Sequence, residues 1–193
     1  MSRLLVHRSR YEDVKAAVVN LAEGLTVGIG ESNAELTPVV SKDQQQQILA
    51  MIDKAREEGA NILTGGKVAD LEGYFVLPTI IEAKDDMSIA QEEVFGPVMV
   101  IMPFDDEDQA VAIANGTDFG LVAGVFGENL NQTLRVANRL IAGQVFINEW
   151  FAGGIETPFG GVGLSGFGRE KGQEAIYSYV QTRNIGIRLK HSV

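Results

Sequence analysis

Apolar and polar residues alternate along the chain with two different periods, which predicts strands followed by helices. Residues 3–7 form a short apolar run of the kind that makes a strand. The apolar residues that follow at helical spacing are Tyr11, Val14, Val18, Leu21 and Leu25. Ser9 and Glu12 have the spacing of a capping box, so the first helix is predicted to have Ser9 as its N-cap.

A second helix and three further strands are predicted between residues 41 and 104. Ser41 has the residue type of an N-cap, and Gly59 has that of a helix stop. The positions expected to face inward are Ile48, Met51, Ile52 and Ala55. Segments punctuated by glycine or proline predict strands at residues 61–66, 73–81 and 97–104.

The same alternation continues from Asp105 to the end of the chain. The predicted helices cover residues 105–115, 130–143 and 173–180, the second of them closed by Gly143. The predicted strands cover residues 121–127, 144–148 and 184–190. Strands that alternate with helices in this way predict α/β layers around a mostly parallel sheet.

Composition restricts the possible functions. The chain has 193 residues, enough for one well-cored domain, and a formal charge of -10 that does not suit a nucleic-acid or anionic-membrane surface. We therefore expect a small-molecule partner, with no nucleic acid and no membrane. No run approaches the roughly 18 apolar residues of a membrane span, and the N-terminus lacks an apolar signal core, so we expect a cytoplasmic protein. Cysteine is absent, which excludes disulfides and thiolate metal sites.

Three apparent motifs fail on their surroundings. Gly161, Gly163 and Gly166 have the G-x-G-x-x-G spacing, but they do not follow the first strand of a βαβ unit, so a loop with close backbone approach is the better interpretation. Ser165 lacks the second glycine of a nucleophile elbow. The two histidines, His7 and His191, have no metal-binding spacing, and we predict no metal site.

Among the carboxylates Glu92, Glu93, Glu156 and Glu170, the sequence context of Glu93 is the most distinctive. It lies in residues 91–98, QEEVFGPV, here called the 91–98 turn, for which we predict a rigid and partly buried conformation. A fixed carboxylate accepts two hydrogen bonds at once, and a vicinal sugar diol offers the matching donors. Phe95 lies two residues further on, so in an extended segment it points to the same side and can back a planar heterocycle.

The motifs together resemble the NAD(P)-dependent aldehyde dehydrogenase superfamily. The similar segments, in the family's order, are GYFVLPTII, QEEVFGPV, NGTDFGLVAGVF, AGQVFIN and PFGGVGLSGFGREKG, and they span essentially the whole chain. The resemblance implies the C-terminal part of that enzyme: a three-layer α/β/α catalytic-domain-like fold ending in an oligomerisation strand. It also implies that Glu93 holds the hydroxyls of the nicotinamide ribose and that Phe95 packs near the nicotinamide of NAD or NADP.

Five further positions match functional segments of the family. Glu170 matches a buried glutamate that acts in a proton relay with a lysine; a charge at a helix N-terminus is the plainer alternative. The residues that match the lining of the aldehyde tunnel are Asn148, Trp150, Gly153 and Phe159. Trp150 can stack on an aromatic aldehyde or bind an ammonium group, although a core or interface tryptophan is equally compatible. Betaine-, amino- and aromatic-aldehyde branches are therefore favoured.

The resemblance also implies that the chain begins just after the catalytic cysteine and lacks the Rossmann domain. The family reaction needs that thiolate, so we expect this chain alone to be inactive. Two alternatives stay open: a non-catalytic assembly module that joins full-length subunits, and a reductase of activated acids.

The expected organisation is a partial catalytic domain at residues 1–181 and an oligomerisation strand with tail at residues 182–193. The resemblance implies a homo-oligomer, a dimer or tetramer, formed through the segment from Thr182 to Lys190. An edge strand packed on its own domain is the alternative.

Overall fold

In the computed structural model of the protein, residues 2–150 and 153–189 are described. The chain forms two compact units, Met1–Thr117 and Asp118–Val193. No helix in the described ranges is both long and apolar enough to cross a membrane. Lys190 and His191, which the sequence predictions include, lie outside the described residues.

The first unit contains a four-stranded sheet. Its strands are β1 (Arg3–His7), β2 (Asn61–Thr64), β3 (Thr79–Glu82) and β4 (Val98–Phe104). They lie in the order β1-β4-β3-β2, with β4 parallel to both β1 and β3 and with β2 antiparallel at the edge. The predicted mostly parallel sheet is confirmed in this unit.

Four helices belong to the same unit. They are α1 (Tyr11–Gly24), α2 (Lys42–Glu57), α3 (Ser88–Gln91) and α4 (Glu107–Asn115). Ser41 caps α2, as predicted, by accepting a hydrogen bond from the Gln44 amide at 3.2 Å. Gly59 follows the end of α2 with φ of +91°, the left-handed conformation that favours glycine at a helix stop.

Both faces of this sheet are buried, because alternate strand residues enter different clusters. Ile81 and Val100 pack with Ile48 and Ile52 of α2. Their sequence neighbours Ile80 and Ile101 pack on the opposite face with Val6, Tyr11 and Ala22. This period-two alternation places α2 on one face and α1 on the other, which makes a three-layer α/β/α arrangement.

The second unit is built from short strands and turns. Its elements are β5 (Phe119–Gly120), β6 (Val122–Val125), α5 (Leu130–Ala137), β7 (Gln144–Ile147) and β8 (Val162–Gly163). Strands β6 and β7 are parallel, and β5 pairs antiparallel with β8. Asn129 caps α5 by accepting from the Gln132 amide at 3.2 Å.

Several local predictions are wrong. Ser9 does not cap α1: it lies in a 3₁₀ turn with its hydroxyl 2.8 Å from His7 Nδ1, and Arg10 takes the N-cap position. Leu21, predicted on the inward face of α1, is 67% exposed. Helix α5 ends at Ala137 and not at Gly143. Gly143 is required for another reason, since a Cβ atom there would overlap the carbonyl oxygen of Gly160.

The C-terminal predictions also need correction. The helix predicted over residues 173–180 is a 3₁₀ helix at Glu174–Ser178, with no α-helix there. Residues 182–189 are exposed and form no strand within the described chain, so the alternative of an edge strand packed on its own domain is wrong. A strand needs a hydrogen-bonding neighbour, and the described residues provide none for this segment. The boundary between residues 181 and 182 stays a prediction.

Candidate functional site

The 91–98 turn leads from α3 into β4 and is unusually tight. The Gly96 amide donates to the Val94 carbonyl at 2.8 Å, and the Val98 amide donates to the Gly96 carbonyl at 2.8 Å. Each of these bonds closes a three-residue turn. The Thr79 amide donates to the Pro97 carbonyl at 2.8 Å, which fastens the end of the turn to β3. The predicted rigidity therefore has a backbone basis.

Helix α2 supports the turn from one side. The Gln44 Nε2 atom donates to the Phe95 carbonyl at 2.9 Å. Ile48, which is fully buried, occupies the space that a Cβ atom on Gly96 would need. Val94 packs against the same core cluster as Ile48. Only a glycine at position 96 allows α2 and the turn to approach this closely.

The side chains of Glu93 and Phe95 are exposed, whereas Val94 and Pro97 are half-buried. The predicted partial burial of the turn therefore holds for Val94 and Pro97. It does not hold for the side chains of Glu93 and Phe95. Phe95 is 71% exposed. Within the described ranges the Glu93 carboxylate makes no hydrogen bond or ion pair, so its oxygens are available to accept hydrogen bonds from a ligand.

The adjacent carboxylate, Glu92, has a different environment. Its Oε1 atom lies 3.4 Å from the Lys54 ammonium, and Lys54 also lies 3.9 Å from Glu58. Glu92 therefore belongs to a surface ion-pair network between the turn and α2. Sequence reasoning selected Glu93 by its proximity to the ring and turn, but it missed Lys54, which precedes Glu92 by 38 positions.

Asn148, a candidate tunnel residue, has a structural function in the second unit. It follows β7 with φ of +55°, a left-handed conformation that asparagine tolerates better than most residues. Its Oδ1 atom accepts from the Gly127 amide and its Nδ2 atom donates to the Gly127 carbonyl, both at 2.8 Å. The side-chain amide is thus engaged in joining the ends of β6 and β7.

The Trp150 side chain lies across β6. Its ring atoms are 3.0 and 3.1 Å from the position that a Cβ atom on Gly124 would take, and the Phe126 ring is 3.2 Å from the same point. Trp150 is 44% exposed, which excludes a core tryptophan. An aromatic face of this kind suits either a ligand or a protein interface.

Phe159 and Glu170 are brought together by the long loop of the second unit. Each donates its backbone amide to the carbonyl of the other at 2.7 Å. The Glu170 side chain is exposed, unlike the buried glutamate of the family that it matches. It also does not belong to a helix, which removes the alternative of an N-terminal helix charge. The Lys171 ammonium lies 5.7 Å from the centroid of the Phe159 ring.

Gly153 has a backbone reason to be glycine. Its φ is +117°, and a Cβ atom there would overlap the hydroxyl oxygen of Thr157. The sequence matched Gly153 only to the lining of the aldehyde tunnel. The conformation of the loop is an independent constraint at this position.

The glycine-rich segment forms a loop with close backbone approach, as predicted. Gly163 belongs to β8, and a Cβ atom on it would overlap the Asp118 carbonyl. Ser165 accepts a hydrogen bond from the Gly120 amide at 3.0 Å, a structural contact. In the described ranges, no group of three His, Cys, Asp or Glu side chains is arranged to hold a metal ion.

The candidate residues divide between the two units. Glu93 and Phe95 lie in the first unit, whereas Asn148, Trp150, Gly153, Phe159 and Glu170 lie in the second. The first set offers a carboxylate that has no partner in the described ranges, on a rigid turn. The second set offers the exposed ring of Trp150 and the half-buried ring of Phe159 on a glycine-rich frame.

Known proteins match the chain along nearly all of its length. The sequence profile of the Aldehyde dehydrogenase family matches residues 1–185. A betaine aldehyde dehydrogenase from Cereibacter sphaeroides is 40% identical over 186 residues, which are 95% of this chain and 38% of that protein.

Solved structures match the fold equally well. The NAD⁺ complex of aldehyde dehydrogenase from Bacillus cereus has a TM-score of 0.94 and 41% identity, over 98% of this chain and 39% of that one. Betaine aldehyde dehydrogenase from Staphylococcus aureus, in complex with NAD⁺, has a TM-score of 0.89 and 36% identity, over 92% of this chain and 37% of that one. The chain thus spans less than two fifths of the length of these proteins.

Proposed function

Because the chain belongs to the aldehyde dehydrogenase family, we propose that it is the C-terminal part of an NAD(P)-dependent enzyme that oxidises an aldehyde to its carboxylic acid. The observation that carries this proposal is the similarity, along 98% of the chain, to an aldehyde dehydrogenase solved with NAD⁺. The share of each relative that is matched supports a partial chain. The complete enzyme would comprise this segment and a dinucleotide-binding domain.

Glu93 and Phe95 would hold the cofactor in that enzyme. The Glu93 carboxylate would accept hydrogen bonds from both hydroxyls of the nicotinamide ribose, and the Phe95 ring would limit the movement of the nicotinamide. NAD or NADP, when bound, supplies the hydride acceptor. The free carboxylate on a fixed backbone supports this function, because a preformed acceptor costs little ordering on binding.

The substrate would be an aldehyde bound near Trp150, Gly153 and Phe159. Betaine- or amino-aldehydes carry a cationic group that the face of an exposed tryptophan attracts, and aromatic aldehydes can stack on it. The names of the similar proteins and the exposure of Trp150 support this class. Asn148 would act through the backbone that it holds. Glu170 would be the relay carboxylate, positioned beside Phe159 by the paired backbone bonds.

Assembly into a homo-oligomer would use the C-terminal segment. Residues 182–189 are exposed and have no strand partner in the described chain, and Ile185 and Ile187 are 68% and 79% exposed. Addition of this segment to a sheet edge of another subunit would satisfy its backbone and cover both side chains.

The isolated chain would not turn over aldehydes, since it has no cysteine to form the covalent intermediate. The same absence favours the second candidate function, a non-catalytic module that associates with complete subunits. The second function would be supported by mixed oligomers of this chain and a full-length relative in which the relative keeps full activity per active site.

The direct experiment joins residues 2–193 to the upstream part of the Bacillus cereus enzyme, in place of its own matching segment. We expect NADH formation from betaine or aromatic aldehydes by this chimaera and none by the isolated chain. A chimaera with the oligomeric state and circular dichroism of its parent but no turnover would contradict the proposal. Titration of NAD into the isolated chain should show no micromolar binding.

A further inference from the structure

Helix α3, which precedes the 91–98 turn, has no cap of its own. Met87 is its N-cap residue and makes no capping hydrogen bond with its side chain. The amide of Ser88 therefore needs an acceptor from elsewhere. It donates to Glu58 Oε2 at 2.8 Å, across 30 positions of sequence.

Glu58 is itself well fixed at the end of α2. Its backbone amide donates to the Lys54 carbonyl at 2.9 Å, and its backbone remains in the helical conformation. The Ser88 side chain and the hydrogen bond from its amide, followed by the Lys54 charge, hold the pKa of Glu58 below its usual value. The carboxylate is therefore ionised at neutral pH and acts as a charged acceptor for the Ser88 amide.

Helix α3 couples the position of Ser88 to that of the turn. Ile89 and Ala90 are 3% and 4% exposed and pack in the core with Ile48, Ile52 and Ala55 of α2. The Glu92 amide donates to the Ser88 carbonyl at 2.9 Å, and Glu93 follows directly. Core packing fixes the rotation of α3, and the Glu58 contact fixes its N-terminal end. Glu93 is thus one residue beyond a segment that is held at both ends.

We propose that Glu58 is a positioning residue for the 91–98 turn, and that its hydrogen bond from the Ser88 amide sets where Glu93 presents its carboxylate. The identity of the ligand rests on the proposed function, but the coupling between Glu58 and the turn does not. Two other polar contacts join α2 to this region. Gln44 holds the Phe95 carbonyl beyond Glu93, and the Lys54–Glu92 pair is 53% and 59% exposed, so that it contributes little.

The coupling is measurable by NMR on the 193-residue chain. The variant Glu58→Ala should accelerate amide hydrogen exchange at Ser88 and Glu92 by about tenfold or more, the effect of losing a charge-assisted hydrogen bond. It should also shift the amide resonances of Glu93 and Phe95, while Ile101 in β4 stays unchanged. Glu58→Gln keeps one neutral acceptor and should give an intermediate effect. Glu57→Ala removes an exposed carboxylate from the same helix end and should have none of these effects.

A second variant approaches the same contact from the other side. Ser88→Pro removes the amide donor, and proline is favoured at the first position of a helix. Met87 already has φ of -74° and ψ of 146°, which is the conformation required before proline. We expect Ser88→Pro to fold and to shift the Glu93 and Phe95 amides as Glu58→Ala does.

Two results would overturn the inference. One is a Glu58→Ala spectrum in which the turn amides match those of Glu57→Ala. The other is a uniform acceleration of exchange that includes Ile101, because it would indicate only a loss of global stability. If the turn amides shift as expected but the chimaera does not use NAD, the positioning inference holds and the proposed function fails.

Discussion

The side chain of Asn148 holds the backbone of Gly127 with both of its amide atoms, each at 2.8 Å. This clamp joins the ends of the parallel strands β6 and β7, and it explains why a residue with a left-handed backbone follows β7. The candidate substrate residues after Asn148 are carried on this joined end.

Loss of the clamp should destabilise the second unit. We expect Asn148→Ala to lower its free energy of unfolding by about 1 to 2 kcal/mol, from the lost hydrogen bonds and the strain of a left-handed alanine. Asn148→Gly removes the same bonds without the strain and should be less harmful. Urea unfolding followed by Trp150 fluorescence reports on this unit, since Trp150 is the only tryptophan of the chain. Equal stability of Asn148→Ala and the unmodified chain would show that the clamp has no energetic role.

The approach of α2 to the 91–98 turn depends on Gly96. Gly96→Ala places a methyl group where Ile48 already lies, and overpacking of this kind costs about 1 to 3 kcal/mol. Ile48→Val removes the nearest atom, so the double variant should lose less stability than the sum of the single variants. Thermal unfolding followed by circular dichroism measures all four members of the cycle. Strict additivity would mean that the two residues do not touch.

The sheet of the first unit carries a hydrogen-bonded network that sequence patterns did not indicate. Tyr11 donates its hydroxyl to Glu82 at 2.7 Å, and Lys15 and Asn61 also contact this carboxylate. Burial opposes ionisation of Glu82, but the hydrogen bonds from Tyr11 and Asn61 and the charge of Lys15 outweigh it and lower its pKa. Burial, and then the bond to Glu82, raise the pKa of Tyr11.

The lowered pKa of Glu82 and the raised pKa of Tyr11 predict a plateau of folding stability that is bounded by an acid limit and an alkaline limit. The contribution of Glu82 is present above its unfolded pKa of about 4.3 and is lost as pH falls through its lower folded pKa. The contribution of Tyr11 is present below its unfolded pKa of about 10 and is lost as pH rises through its higher folded pKa. Tyr11→Phe should cost about 1 to 2 kcal/mol at pH 7 and weaken the alkaline dependence. Denaturant unfolding between pH 4 and 11 is the measurement, and an unchanged alkaline limb in Tyr11→Phe would contradict this assignment.

Charged substitutions in the C-terminal segment should change the assembly of the protein without changing the folding of the chain. Ile185→Lys combined with Ile187→Lys should reduce the proposed homo-oligomer to a smaller species in size-exclusion chromatography with light scattering. Asn184→Lys adds a charge to the same segment without removing an apolar side chain and serves as the control. Since residues 182–189 make no sheet pairs in the described chain, the melting of the chain itself should not change. An unaltered oligomer in the double variant would show that assembly uses another surface.

Local patterns predicted α/β layers around a mostly parallel sheet because these depend on short periods, and the resemblance implied the three-layer arrangement. The neighbours Ile80 and Ile81 enter opposite clusters, as period-two alternation requires. The end of α5 was mispredicted because Gly143 serves a close backbone contact with Gly160, a relationship between distant residues. The segment after Thr182 looked like a strand because its alternation is real, but strand formation also needs a partner.

The candidate site, like the fold, was predictable only where it depends on local sequence. Glu93 and Phe95 stood out by their local sequence, and the resemblance to a family gave them functions. Their support could not be foreseen, because Gln44, Ile48 and Glu58 act from α2 and its C-terminal end, 30 to 51 positions earlier. The distinction between paired Glu92 and unpaired Glu93 likewise depends on Lys54. Long-range polar contacts of this kind leave no periodic signal in a single sequence.

The measurement that tests the central claim most directly is the KM for NAD of the chimaera that carries residues 2–193. Glu93→Gln keeps the shape of the side chain but removes its charge, and we expect it to raise the KM for NAD by about tenfold, with the Glu92→Gln control unchanged. Equal KM values for the two variants, in chimaeras that fold and turn over aldehyde, would contradict the assignment of Glu93 to the ribose of the cofactor.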